Sequence, residues 1–167
     1  MNEFLFVYGD RPESGARSDD LTVKTMISEA RKFAERTEMI DSLRLGAATG
    51  LRPIPAWKQG ADFLLTQVTY AIDDLLRWRR SVEFDGPIYA GVMVLPSSSM
   101  ARKLSADVPQ LAVPQAIIGE LDRDRGSGVD IACNHIRAIY DSGAFDGVHL
   151  IPVSRYREMA SRLETLL

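Results

Sequence analysis

The apolar positions of this 167-residue chain alternate between two periods. Short, nearly continuous apolar runs occupy residues 4–8, 43–48, 63–69, 87–95 and 148–153. A continuous apolar run bounded by helical patterns reads as a strand buried on both faces, as in a parallel sheet. Between these runs the apolar residues recur every three or four positions. Val23, Met26, Ile27, Ala30, Phe33 and Ala34 predict an amphipathic helix, with Asp19 and Asp20 near its positive end. Ile72, Leu75, Leu76 and Val82 mark a second helix, and Val129, Ala132, Ile136 and Ile139 a later one. Tyr156, Met159, Ala160, Leu163 and Leu166 mark the last. Ser97, Ser98 and Ser99 can cap a short helix carrying Met100 and Leu104. Residues 113–121 predict another, with Pro114 in its first turn. Residues 51–61, with Pro53, Pro55 and Gly60, leave room for about one turn of helix.

Strand and helix thus alternate five times, which predicts parallel strands joined by right-handed crossovers. Two closures satisfy that order. An open doubly wound sheet is complete at five strands, whereas a barrel needs eight strands and roughly 250 residues. Length alone favours the open sheet. No repeat, low-complexity stretch or linker divides the chain, so residues 1–167 read as a single α/β domain.

Chemistry in parallel sheets is placed at the C-terminal ends of the strands. Those ends carry Gly9-Asp10, Thr49, Gln67, Pro96 with its serines, and Arg155. An acid, an amide and a guanidinium on one rim can hydrogen-bond a polar heteroaromatic ligand. A carboxylate accepts from ring N–H groups, an amide donates and accepts, and Arg155 holds an anionic group. The bland alternative stays open: Asp10 starts a turn, Gln67 is a cap and Arg155 is a surface charge.

Composition narrows the classes. Apolar and charged fractions of 46% and 26% are those of an ordinary globular protein. A net charge of −3, with basic residues dispersed among acids, gives no reason to expect a nucleic-acid partner. No run approaches membrane-spanning length and no signal peptide is evident. The single cysteine, Cys133, allows no internal disulfide and suggests a reducing compartment, so a cytoplasmic location is expected. Neither GxGxxG nor GxxxxGK[ST] follows the first strand. Cys133 and His135, two apart on a helix, point in different directions, so no metal site is expected and Cys133 reads as core. His149 reads as a hydrogen-bonded core histidine, and Trp57 and Trp78 as packing residues.

The rim residues, taken in order, resemble the methylenetetrahydrofolate reductase family, specifically the C-terminal part of its barrel. Phe6-Val7-Tyr8-Gly9-Asp10 is similar to the family's strand ending in Arg-Gly-Asp. Gly60-Ala61-Asp62-Phe63-Leu64-Leu65-Thr66-Gln67 resembles its Gly-Ala-strand-Thr-Gln segment. Pro87-Ile88-Tyr89-Ala90-Gly91-Val92, Val113-Pro114, and Gly147-Val148-His149-Leu150 with Ser154-Arg155 resemble the segments that follow. The resemblance implies a partial TIM barrel, strands four to eight of eight. It implies FAD on the C-terminal rim, passing a hydride from NAD(P)H to a folate one-carbon unit. Carried over, Asp10 is the catalytic aspartate near flavin and pterin, Gln67 and Arg155 bind the folate, and Gly9 lets backbone approach the cofactor, with Thr49 beside it.

This sequence departs from the family in several places. Tyr8 replaces the family's arginine, and Thr49-Gly50-Leu51 replaces its Tyr-Pro-Glu stretch. The downstream acidic and lysine contacts to FAD have no counterpart, and neither do the first three strands with their catalytic glutamate. The chain is therefore expected to work with strands from a partner chain or a second copy, and not to catalyse alone. Two alternatives stay open: a folate-binding or assembly module without redox chemistry, and a truncated reading frame of a full enzyme.

Overall fold

Five parallel strands pair strictly in chain order: β1 (Asn2–Phe6), β2 (Leu43–Thr49), β3 (Phe63–Thr66), β4 (Ile88–Met93) and β5 (Gly147–Ile151). The computed structural model describes residues 2–7, 22–37 and 43–166. Within them lie six α-helices: α1 (Val23–Arg36), α2 (Ile72–Ser81), α3 (Ser98–Asp107), α4 (Gln115–Arg123), α5 (Ser127–Asp141) and α6 (Tyr156–Leu166). The predicted single turn between β2 and β3 is the 3-10 helix Ala56–Gly60.

The strand order never turns back on itself, whereas a doubly wound sheet reverses at a switch point. Right-handed crossovers that all step one way put the connecting helices on one face. The core follows that rule. Ile27 of α1, Leu75 and Trp78 of α2, Ala132, Cys133 and Ile136 of α5, and Met159 of α6 pack together on Leu45, Ala47, Leu64, Ile88, Ala90 and Val92. Cys133 is core, as expected. A second cluster under α3 and α4 joins Val68, Tyr70 and Leu95 to Ala101, Ile118 and Leu121. The molecule is a half-barrel: the described helices pack on its outer face, and strand residues such as Leu65, Met93, His149 and Ile151 face its inner, concave side.

Several local expectations shift by a few residues. The strands end before the apolar runs do, because residues such as Val68 and Leu95 continue inward after the ladder has stopped. Pro114 is the N-cap of α4 rather than part of its first turn. Thr22 caps α1 through a reciprocal box, its hydroxyl accepting the Thr25 N–H while the Thr25 hydroxyl accepts that of Thr22. Asp19 and Asp20 lie outside the described residues. Phe33 belongs to the apolar stripe of α1, yet it is 54% exposed, as is Phe4 of β1 at 52%. They flank a hollow between α1 and the edge strand, where no described element lies beyond them.

Two aspartates fix the N-terminal rim. Asp62 donates its N–H to Leu45 O at 2.8 Å, and its Oδ2 accepts the Leu45 N–H at 2.6 Å and Arg31 at 2.5 Å. Asp146 repeats the device on Ile88, at 3.1 and 2.8 Å. Each aspartate closes the first rung between its own strand and the neighbour, and so sets the register where the apolar pattern alone is permissive.

Close helix–strand contact generates a paired test. A Cβ on Gly128, in the first turn of α5, would stand 1.9 Å from the Leu95 carbonyl oxygen. A Cβ on Gly119, in α4, would meet nothing within 4 Å. Gly119→Ala gains helix propensity and is expected to stabilise by up to about 1 kcal/mol. Gly128→Ala has the same gain but must displace backbone, and is expected to destabilise by about 1–3 kcal/mol. Urea unfolding of the two variants checks the difference in sign.

Candidate functional site

The C-terminal ends of the strands surround a concave cavity of about 800 Å³. Its floor is aromatic. Phe63 and Tyr89 meet edge to face at 6.3 Å, and the Arg44 guanidinium lies 5.6 Å over Phe63 while pairing with Glu3 at 2.7 Å. These side chains stand on the same face as the cavity, one step towards the N-terminal rim.

The cavity is shaped by the way β3 ends. Up to Leu65 it pairs with β4, the last rung being Leu65↔Tyr89. At Thr66 the ladder gives way to a side chain: the buried Thr66 Oγ1 accepts the Gly91 N–H at 2.9 Å. On the other side the Gln67 N–H still reaches Thr49 O at 2.7 Å. The backbone of residues 66–68 therefore leans over Gly91, where a Cβ would stand 2.6 Å from Thr66 O. Glycine is needed there for this approach. Gln67 emerges exposed on the cavity, its Oε1 3.6 Å from where a Cβ on Gly50 would be.

Lys58, from the 3-10 turn, and Lys24, from the first turn of α1, are the charged side chains lining the cavity among the described residues, and no described carboxylate joins them. The Lys58 ammonium donates to Ala48 O at 2.6 Å and sits 5.4 Å over the Trp57 ring. Partial burial pulls its pKa below the usual lysine range. Trp57 thus serves the cavity wall as well as the packing expected of it.

His149 faces this cavity rather than the helix-packed core. Its neighbours Val148 and Leu150 pack against the helices, so the two-residue period turns His149 inward. Desolvation by burial lowers its pKa, with the Thr66 backbone acting in the opposite direction. His135, on α5 beside Tyr70, is likewise held below the usual range by burial.

Of the rim residues expected from sequence, Thr49 and Gln67 are brought together on the cavity. Gly9 and Asp10 lie outside the described residues. Arg155 stands apart from the lining. Its N–H closes a turn on Pro152 O at 2.8 Å, and its guanidinium pairs with Glu158 at 3.0 Å in the first turn of α6. Lys24, Lys58 and His149 are site residues that the strand-end rule did not reach. Lys24 and Lys58 lie on connecting elements, and His149 is in mid-strand.

The family model described as methylenetetrahydrofolate reductase matches residues 56–166. The chain belongs to the methylenetetrahydrofolate reductase family. The matched stretch holds Lys58, Gln67, Gly91, His149 and Arg155, and begins after Thr49. A search of curated proteins finds no match. Within this family member, no described helix is long and apolar enough to cross a membrane. No described cluster of three or more His, Cys, Asp or Glu side chains is placed to hold a metal.

Two predictions follow from the site's construction. Thr66→Val keeps the side-chain shape but leaves the buried Gly91 N–H unpaired, at an expected cost of about 1–3 kcal/mol measurable by urea unfolding. Both histidines protonate more readily in the unfolded chain. The stability they contribute is present above the ordinary imidazole pKa and is lost as pH falls below it, through the depressed folded values. Proton NMR titration should find both rings less protonated than a free histidine at the same pH.

Proposed function

We propose that this cavity is the folate-side part of a methylenetetrahydrofolate reductase-like site, where FAD relays a hydride from NAD(P)H to a folate one-carbon unit. The observation that carries the reading is the Gln67 carboxamide, anchored between β2 and β4 and opening onto a cavity whose described charges are cationic. An amide both donates and accepts, as the edge of a pterin requires. A cavity of about 800 Å³ lies within the range of small-molecule sites.

The residues present fit the cofactor. Lys24 and Lys58 offer ammonium groups to phosphates or to a glutamate carboxylate, and Trp57, Met93, Leu111 and Ile151 give apolar walls to ring faces. FAD, when bound, supplies the two-electron relay. The chain's own side chains bind and orient: Gln67 holds the pterin, with Gly9 and Thr49 on the cofactor side. In this reading Asp10, outside the described residues, takes the catalytic role that the family resemblance assigns to it. Arg155 exchanges Glu158 for an anionic group of the substrate. The location in this reading is cytoplasmic.

A second copy or a partner chain completes the ring. The edge position of β1 supports this, with Phe4, Leu5 and Val7 exposed along it. An alternative reading is a folate-binding or assembly module without redox chemistry, favoured by Thr49-Gly50-Leu51 standing where the family has its Tyr-Pro-Glu stretch.

The purified chain, incubated with FAD and desalted, is expected to retain flavin absorbance, and to bind 5-methyltetrahydrofolate by calorimetry. Lys58→Ala should weaken FAD uptake about tenfold, the loss of one charge-assisted contact. Folate binding without flavin would favour the module. Uptake of neither, with or without candidate partner chains, would overturn both readings.

A further inference from the structure

The large exposed apolar side chains gather at the two open edges of the sheet. Among the described residues, Phe4, Leu5 and Val7 lie on β1 or just after it, and Phe33 stands over it on α1. Val153 and Tyr156 follow β5, around the start of α6. Tyr140, near the end of α5, is the exception.

The helices at the two edges turn the same kind of flank outward. An α-helix advances about 100° per residue. On α1, Val23 and Ile27 face the core, and Arg31 reaches sideways to Asp62 at 2.5 Å. Met26, Ala30 and Phe33 fall on the opposite flank, where the hollow lined by Phe4, Phe33 and Leu43 opens. On α6, Met159 and Leu163 face the core, and Arg162 reaches Asp130 of α5 at 2.9 Å. Tyr156 and Ala160, both exposed, fall on the flank away from α5.

We propose that the hollow beside β1 receives α6 of a second copy of this chain, whose β5 pairs in parallel with β1, and that the same contact repeated about a two-fold axis closes the two sheets into one ring. The inference chooses between the two completions of the ring named above, and rests on that part of the reading rather than on the ligand of the cavity. Among the described residues, β1 lacks a parallel neighbour whose following helix lies on the outer face. β5 with α6 is such a unit, and it stands at an edge of its own. The helix after a strand in this sheet lies across that strand and the next, as α1 lies against both β1 and β2. By the same rule α6 of the copy comes to rest over β1, beside Phe4 and Phe33. Pairing β1 with β1 across a two-fold axis would cover Phe4 but leave β5, Val153 and Tyr156 open. The head-to-tail contact uses both edges and leaves neither unpaired. It also walls the side of the cavity at β1, where Leu5 and Val7 belong to the lining.

Light scattering on the full chain is expected to give twice the mass of a single chain. Phe33→Glu and Tyr156→Glu, each at an exposed side chain, should each raise the dissociation constant about thirtyfold or more, the loss of an aromatic anchor. A short thiol cross-linker reads the direction of the contact. Phe33→Cys mixed with Tyr156→Cys should give a linked pair, whereas Phe33→Cys alone should not, and the parent chain with its buried Cys133 is the control. A single-chain mass at every soluble concentration would overturn the inference. So would a dimer that Tyr156→Glu leaves intact, one that links residue 33 to residue 33, or a monomer that pairs through β1 with a different polypeptide. FAD and folate uptake by a chain that stays single would overturn this inference alone and leave the folate-side reading standing.

Discussion

Parallel pairing of each strand with the next in sequence is the constraint from which both faces of this sheet follow. Every crossover steps in the same direction, so the connecting helices are carried to one side. There they bury Leu45, Ala47, Leu64, Ile88, Ala90 and Val92 against α1, α2, α5 and α6. Alternate residues on the same strands are left on the other face, which the strand twist curves inward. Among the described residues, Phe63, Tyr89 and Arg44 stand on that face towards the N-terminal rim. The same constraint leaves β1 at an edge, which is why Phe4 and Phe33 stay exposed although the pattern of the chain would bury them.

The two rims of the sheet divide the work. At the N-terminal rim, Asp62 and Asp146 each tie a strand start to its neighbour with one donor and one acceptor, and the register is set there. With register fixed at that end, the C-terminal end of β3 can part from β4 without the sheet slipping. The Thr66 hydroxyl takes over a rung of the ladder, so the buried Gly91 amide stays paired. Gln67 is presented on the cavity as a consequence of that exchange of a backbone acceptor for a side-chain one. Register is thus held at one rim, and the cavity lies at the other.

Local charge runs against the global balance. The chain carries a net charge of −3, yet the described lining of the cavity offers two lysines and no carboxylate. Lys58 tolerates partial burial because Ala48 O accepts from it at 2.6 Å and the Trp57 ring lies beneath it. Three N–H donors on its ammonium cannot all be spent on one carbonyl, which leaves it capable of holding an anion. Burial lowers the pKa of His149, in the same wall. The wall therefore combines two ammonium groups with a partly buried imidazole.

The sequence by itself determined the five parallel strands, most of the helices and the meeting of Thr49 with Gln67, because the period of apolar residues and the position of a strand end are local properties. The inward direction of His149 was also present in the alternation around it. What lay on that side, core or cavity, was not, because only the curvature of the assembled sheet decides whether an inner face is filled. Lys58 sits in a connection that carries no periodic signal, and its approach to Ala48 depends on how the 3-10 turn folds back over β2. Arg155 lies at the strand end where the pattern put it, but its guanidinium is turned to Glu158. A long side chain chooses among partners within its reach, and the first turn of α6 supplied the nearer one.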